Sequence, residues 1–242
     1  MGRTEITPEF LTLGCLWYIA FLFSTVCHEA AHALTAKLGG DDTAYRGGQV
    51  TLNPLPHMTR EPVGLILLPI ASYFYFGGWM MGWASAPYDP VWQNRYPRRA
   101  AWMALAGPAA NFSLMLMAAA LIRLGMAAGV FLAPASASFT RITVAVDPET
   151  WGFAATFLSM MFVLNLLLGA FNLIPIHPLD GNSGITLLMP ERRAASFMES
   201  SRESGFGLMG IFVASVVFGK IFPYFYLFAL NALYPGARYG QY

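Results

Sequence analysis

Residues 28–32 read His-Glu-Ala-Ala-His. On a helix, positions i and i+4 share a face, so His28 and His32 can each aim an imidazole nitrogen at one Zn²⁺ while Glu29 stands beside the metal as general base. A hydrolytic zinc takes three protein ligands and leaves its fourth position to water, so this motif asks for one more ligand elsewhere. The alternative is a pair of packing histidines with a stray glutamate. The stretch from Phe10 to Cys27 carries no charge, so that alternative must also explain a carboxylate at membrane depth, where an ionisable group costs about 2.5–3.5 kcal/mol even on lenient insertion scales.

The chain has 4 histidines, and the missing ligand is best sought in Asn172-Leu-Ile-Pro175-Ile-His177-Pro178-Leu-Asp180-Gly181. Two prolines within four residues break a helix, and freed backbone groups at membrane depth are tolerated only where protein or a wet cavity receives them. Asp180 offers a carboxylate oxygen, which reaches zinc at ~2.0–2.2 Å, and Gly181 permits a sharp turn behind it. Asp180 could instead cap a helix at the interface. His177, three positions earlier, is an alternative ligand, a proton relay or a packing histidine.

The elements that must position these groups are apolar. Of 242 residues, 56% are hydrophobic and 11% charged, against about 25% charged in soluble domains. The composition implies a polytopic membrane protein in a lipid bilayer. A net charge of +1, with cations scattered between apolar runs, gives no field for nucleic acid. Cys15 and Cys27 fall about three turns apart on one helix, too far for a disulfide. The first apolar run lacks a cationic leader region and continues into the histidine motif, so it reads as a membrane helix and not as a signal peptide.

Uncharged stretches run over 10–27, 62–88, 100–122 and 150–179, with a further one over 205–237 broken by Lys220. Each approaches or exceeds the ~20 residues that cross a bilayer. No repeat is visible, so residues 1–242 are expected to form one membrane domain, with a catalytic core over about 8–182 and a C-terminal membrane segment over about 205–237. The first helix is expected from Pro8 to Leu38, stopped by Gly39-Gly40, which places the motif ~10–15 Å from its end.

If 62–88 crossed completely, Asp180 would emerge on the side opposite the two histidines. A re-entrant hairpin restores parity: Val63 to Phe76 enters, Gly77-Gly78 turns and Trp79 to Ala86 returns in extended form. The predicted fold class is an all-α polytopic membrane protein, a bundle of about four to six transmembrane helices with a re-entrant hairpin and short membrane-associated β segments; extended pieces near Gln49–Leu52 and Trp79–Ala86 could pair with an unwound substrate. Parity puts Lys37, Arg46, Arg60, Arg95, Arg98, Arg99, Arg192, Arg193 and Arg202 on one side, against Arg3, Arg123 and Arg141 on the other. The positive-inside rule makes the first side cytoplasmic and the N-terminus external, with the site opening to the cytoplasm. Gly107-Pro108 relaxes the next helix near that same face, and Asn111 one turn on points a polar group into the bundle, for helix–helix hydrogen bonding or for the site.

These motifs together resemble the site-2 protease family of intramembrane zinc metalloproteases. The matching features, in family order, are His28-Glu29-x-x-His32, Thr51-Leu52-Asn53-Pro54-Leu55-x-His57, Gly107-Pro108-Ala-Ala-Asn111 and Asn172-x-x-Pro175-x-x-x-Leu179-Asp180-Gly181. The subgroup it looks most like is the compact prokaryotic type without a PDZ domain. The resemblance implies His28, His32 and Asp180 as ligands of one catalytic Zn²⁺, Glu29 as acid/base and Asn172 as a polar group near the scissile peptide. Asn111, His57 and His177 are site-lining candidates. Two departures stand out: Met58-Thr59-Arg60-Glu61-Pro62 replaces the family's usual Ile-Asp-Pro run after the loop histidine, and His177 stands where a small residue or proline is usual.

The expected activity is hydrolysis of a peptide bond in or beside the transmembrane segment of a membrane-protein substrate, in regulated intramembrane proteolysis at a prokaryotic plasma membrane. Other chemistries fit less well. Four histidines are too few for a membrane di-iron hydroxylase; Asp89-Pro90 lies in a connector and gives no paired membrane aspartates; Ser183 has no evident base partner. The rival from another class is a non-proteolytic zinc-dependent protein, a metal carrier or regulatory binding protein on the same fold. A purely structural or transport site needs no Glu29, and a transporter is expected to show repeat symmetry.

Overall fold

In the computed structural model, residues 5–240 are described; Arg3, invoked above for the external N-terminus, lies outside them. The first helix, α1 (Pro8–Leu38), starts where extended Thr7 accepts a hydrogen bond from the Phe10 amide at 3.2 Å, with Pro8 at the first helical position. It stops at Gly39, and Gly40 takes φ +95° to redirect the chain. The short helices α2 (Thr43–Arg46) and α3 (Pro54–Arg60) follow, and a π-helical turn over Val63–Leu67 runs into α4 (Leu68–Tyr75). Helix α5 (Pro90–Arg95) precedes the long α6 (Pro97–Ala127). Strands β1 (Phe131–Leu132) and β2 (Val144–Ala145) lie in the connector to α7 (Pro148–Asn172). After the break come α8 (Asp180–Gly184), a 3₁₀ turn over Ile185–Leu188, α9 (Glu191–Glu203) and α10 (Gly207–Leu233).

Helices α1, α6, α7 and α10 are long and apolar enough to cross a membrane. The shortest has 25 residues, ~37 Å at 1.5 Å per residue, against a hydrocarbon core of ~30 Å. The chain is an all-α polytopic integral membrane protein. Helix α10 continues through Lys220 and Pro223 as one element, so the last apolar run forms one continuous helix.

The segment between α3 and α5 is re-entrant. Its helical limb reaches far enough that the Tyr73 hydroxyl donates to the Phe10 carbonyl at 2.6 Å. Gly77 and Gly78, at φ +66° and +112°, then reverse the chain. The returning limb is extended and held back onto the helical one: Met81 N donates to Ser72 Oγ at 2.9 Å and Trp83 N to the Gly64 carbonyl at 3.2 Å. At the mouth Ser85 Oγ donates to Glu61 Oε1 at 2.5 Å, and Asp89 N donates to Asp41 Oδ2 at 2.8 Å. The limbs approach closely because Gly64 lacks a side chain; a Cβ there would overlap the Trp83 carbonyl.

The short β element lies outside the two extended pieces named from the sequence. Trp79–Ala86 is extended but forms no strand, because it lies against a helix that offers it a hydroxyl and one carbonyl in place of a neighbouring strand. Gln49–Leu52 bends toward the Asn53 cap of α3 and is linked to the returning limb by one side-chain bond, Gln49 Nε2 to the Ser85 carbonyl at 3.4 Å. The two-stranded antiparallel sheet is β1–β2, with Phe131 opposite Ala145 and Leu132 opposite Val144.

Helices α1, α6 and α7 pack as a trio around Trp17, Phe21, Leu114, Ala118, Phe162 and Val163. Helix α10 adds Phe218, Phe222 and Leu230 along one edge, while Leu208, Tyr224 and Phe228 face outward. At the opposite end from the α1 C-terminus, the Tyr234 hydroxyl donates to the Ile142 carbonyl at 3.0 Å, and Ser159 Oγ accepts from the amides of Ile142 and Thr143. At the α1 C-terminal end, Ala36, Trp92, Ala100 and Met198 form a second cluster that pins α5 and α9.

Candidate metal centre

Helix α1 carries His28 and His32 one turn apart, both buried, and the break after α7 delivers Asp180 at the start of α8. The ligand atoms of these three residues all lie within 4.8 Å of one another. His28 Nε2 is 2.9 Å from His32 Nε2 and 3.1 Å from Asp180 Oδ2, and His32 Nε2 is 3.4 Å from the same oxygen.

The other ring nitrogens decide what this cluster can hold. His28 Nδ1 lies 2.6 Å from Asn111 Oδ1, and His32 Nδ1 lies 2.7 Å from the Met103 carbonyl. Both partners accept, so each ring carries its proton on Nδ1 and turns an unprotonated Nε2 inward. Two nitrogen lone pairs and a carboxylate oxygen then converge without a donor between them. Asp180 Oδ2 is buried with no hydrogen-bond donor among the described residues. Such a set repels itself unless a cation sits among it, and two imidazoles with one carboxylate is a ligand set found in catalytic zinc sites.

The backbone of α6 closes the site. A Cβ at Gly107 would overlap Nε2 of both His28 and His32, so only glycine lets α6 pass this close to the rings. Pro108 follows inside the same helix. Glu29 is buried beside His28. Gly181 lies under the Leu173 and Ile174 carbonyls, where no side chain fits, and this lets α8 fold back against the end of α7.

The structure thus brings together His28, His32 and Asp180, with Asn111 touching His28. Asn172 ends α7, and its Nδ2 donates to the Leu168 carbonyl of its own helix at 3.1 Å. His57 is buried on α3, where Nε2 donates to the Thr51 carbonyl at 3.1 Å. His177 packs beside Gly207 at the start of α10, and burial pushes its imidazole pKa down. None of these three belongs to the ligand cluster. Sequence reasoning missed the Met103 carbonyl, Asn165, Ser24 and the contact made by Gly107. The one available signal was Asn165, a lone amide in the middle of an apolar run.

A helical membrane bundle with two histidines and an aspartate converging inside it has the makings of an integral-membrane metalloprotein. The family model described as "Peptidase family M50" matches residues 16–217, and the chain belongs to that family. It is 34% identical over 177 residues to "Putative zinc metalloprotease YwhC" of Bacillus subtilis, which covers 71% of this chain and 68% of that protein. It is 30% identical over 204 residues to "Putative zinc metalloprotease Rip2" of Mycolicibacterium smegmatis, covering 84% of this chain and 68% of the relative. No solved structure gives a significant match. The protein is a zinc metalloprotease of the site-2 type.

Proposed function

We propose that His28, His32 and Asp180 hold one zinc ion, that Glu29 is the general acid/base, and that the substrate is a transmembrane protein cleaved in or beside its membrane segment. The observation that carries this reading is the convergence of three ligand atoms beside a buried glutamate, about two turns from the end of a spanning helix. When bound, zinc supplies Lewis-acid polarisation of the scissile carbonyl and a water of lowered pKa.

The chain's own residues do the rest. Glu29 takes a proton from the attacking water and passes it to the departing amide nitrogen as the C–N bond breaks. Asn172 has one amide hydrogen engaged within α7, and its carbonyl oxygen and second hydrogen remain to hold the substrate backbone near the break. A substrate helix has its peptide groups bonded internally, so it must unwind before it can be cut. The returning limb over 79–88 is extended and bonded to α4 at only a few points, so an unwound substrate can add to it as a strand. Proline substitutions within 79–86 are expected to abolish cleavage while leaving zinc content unchanged; intact cleavage would count against strand addition.

The cations on the connectors at the α1 C-terminal end support a cytoplasmic opening at a prokaryotic plasma membrane, in regulated intramembrane proteolysis. The test of the core reading is cleavage of a single-span substrate by wild type and Glu29→Gln in parallel with zinc analysis. The expected result is a rate lower by about 10²–10⁴ with zinc retained; equal rates would end the reading.

A further inference from the structure

Asn111, the partner of His28 Nδ1, belongs to a polar chain that the reaction above does not use. Ser24 on α1, Asn111 on α6 and Asn165 on α7 are each 0% exposed, inside three spanning helices, where unpaired polar groups cost several kcal/mol each. Their hydrogen bonds have a direction. Asn165 Nδ2 lies 2.8 Å from the Met161 carbonyl and 2.9 Å from Ser24 Oγ. A backbone carbonyl can only accept, so the Asn165 amide nitrogen must face it and Oδ1 must face Asn111. Asn111 Nδ2 donates to that oxygen at 2.9 Å and reaches the Ser24 carbonyl at 3.5 Å. This turns Asn111 Oδ1 toward His28 Nδ1, 2.6 Å away. An acceptor at that place fixes the proton on Nδ1 and leaves the Nε2 lone pair pointing at Asp180 and His32.

We propose that Asn165 is a positioning residue for the metal ligand His28: anchored on the Met161 carbonyl, it sets the orientation of the Asn111 amide, and Asn111 so oriented sets the imidazole tautomer that presents Nε2 to zinc. This rests on the reading of His28 as a zinc ligand. Without Asn165 the Asn111 amide can turn over, placing its NH₂ against the His28 ring and favouring the tautomer whose Nε2 carries the proton. Outer partners of metal-bound histidines typically change metal affinity by 10–100-fold.

Aspartate at position 111 gives the test, because both of its oxygens accept and it has no wrong orientation. Zinc affinity of the full chain in detergent is measured by competition with a chromophoric chelator for wild type, Asn165→Leu, Asn111→Asp and the double variant. Asn165→Leu is expected to weaken zinc binding about 10–100-fold in the wild-type background. In the Asn111→Asp background the same change is expected to alter affinity by no more than about twofold, the scatter of independent changes. Equal losses in both backgrounds, or no loss in either, would overturn the proposal, since Asn165 would then only pack three helices. Should Asn165→Leu not fold, as judged by thermal unfolding of the metal-free protein, Asn165→Ala serves in the same cycle. His28→Ala in the same assay separates the two readings: if it keeps wild-type affinity, the ligand assignment fails; if it loses zinc while Asn165→Leu does not, only the positioning role fails.

Discussion

Helices α7 and α10 are both apolar spans of similar length, 25 and 27 residues, yet they occupy opposite environments. Helix α7 buries Ser159, Met160, Phe162, Val163 and Asn165 between its neighbours, whereas α10 buries five residues along one edge and turns Leu208, Phe212, Tyr224 and Phe228 outward. Apolarity cannot distinguish the two, because lipid tails are as apolar as leucine. What separates them is what their small and polar residues meet along the middle of each helix. In α7, Gly169 admits the Phe112 ring of α6 at contact distance, and Asn165 bonds to both α1 and α6. In α10, a Cβ at Gly219 would meet nothing. Close packing and buried hydrogen bonds concentrate in the trio that holds the metal ligands, and the helix outside that trio turns most of its surface outward.

This contrast can be broken first at the ligands. Asp180→Ala or His32→Ala removes one of three proposed zinc ligands, and the expected result is loss of stoichiometric zinc from the dialysed protein. The loss of affinity should exceed the 10–100-fold typical of outer-shell changes, with cleavage lost alongside. Retention of full zinc by either variant would show that the trio does not build the metal site. A matched pair of glycines comes next. Gly107→Ala drives a methyl into both imidazoles and is expected to destabilise the site by about 1–3 kcal/mol through overpacking, read as weakened zinc binding in chelator competition. Gly219→Ala on the outer helix should change unfolding stability by no more than about 1 kcal/mol and leave zinc untouched.

The hairpin sharpens the comparison from another direction, since it touches substrate on the proposed account and not the metal. Gly64→Ala forces its Cβ against the Trp83 carbonyl and should lower cleavage while zinc content stays at one per chain. Loss of both together would mean that hairpin and metal site are one structural unit. The smallest effect is expected at Phe228→Ala, 76% exposed on α10: thermal stability should move by less than about 0.5 kcal/mol, as at other surface positions.

Some of this was legible in the chain because it is local. The spacing of His28, Glu29 and His32 needs only a helix, the limits of α1 follow from Pro8 and Gly39-Gly40, and the break that delivers Asp180 is announced by Pro175 and Pro178. The re-entrant hairpin followed from parity, a global constraint that one membrane imposes on every crossing. The rest depends on which helix meets which. Asn165 and Ser24 have no spacing signature, because their partners lie more than fifty positions away in sequence. The contact of Gly107 with both histidines exists only once α6 packs on α1. The β1–β2 pair was not legible for the same reason: extended backbone becomes a strand only with a strand beside it, and β1 finds one in β2 while the returning limb of the hairpin faces a helix.

The central claim is that α1 and the break after α7 jointly build one zinc site. Zinc K-edge X-ray absorption on the purified full chain tests it most directly. The account predicts one zinc per chain in a four-coordinate shell of nitrogen and oxygen at ~2.0–2.2 Å with the scattering of two imidazoles. A sulfur shell at ~2.3 Å, or a single imidazole, would contradict it.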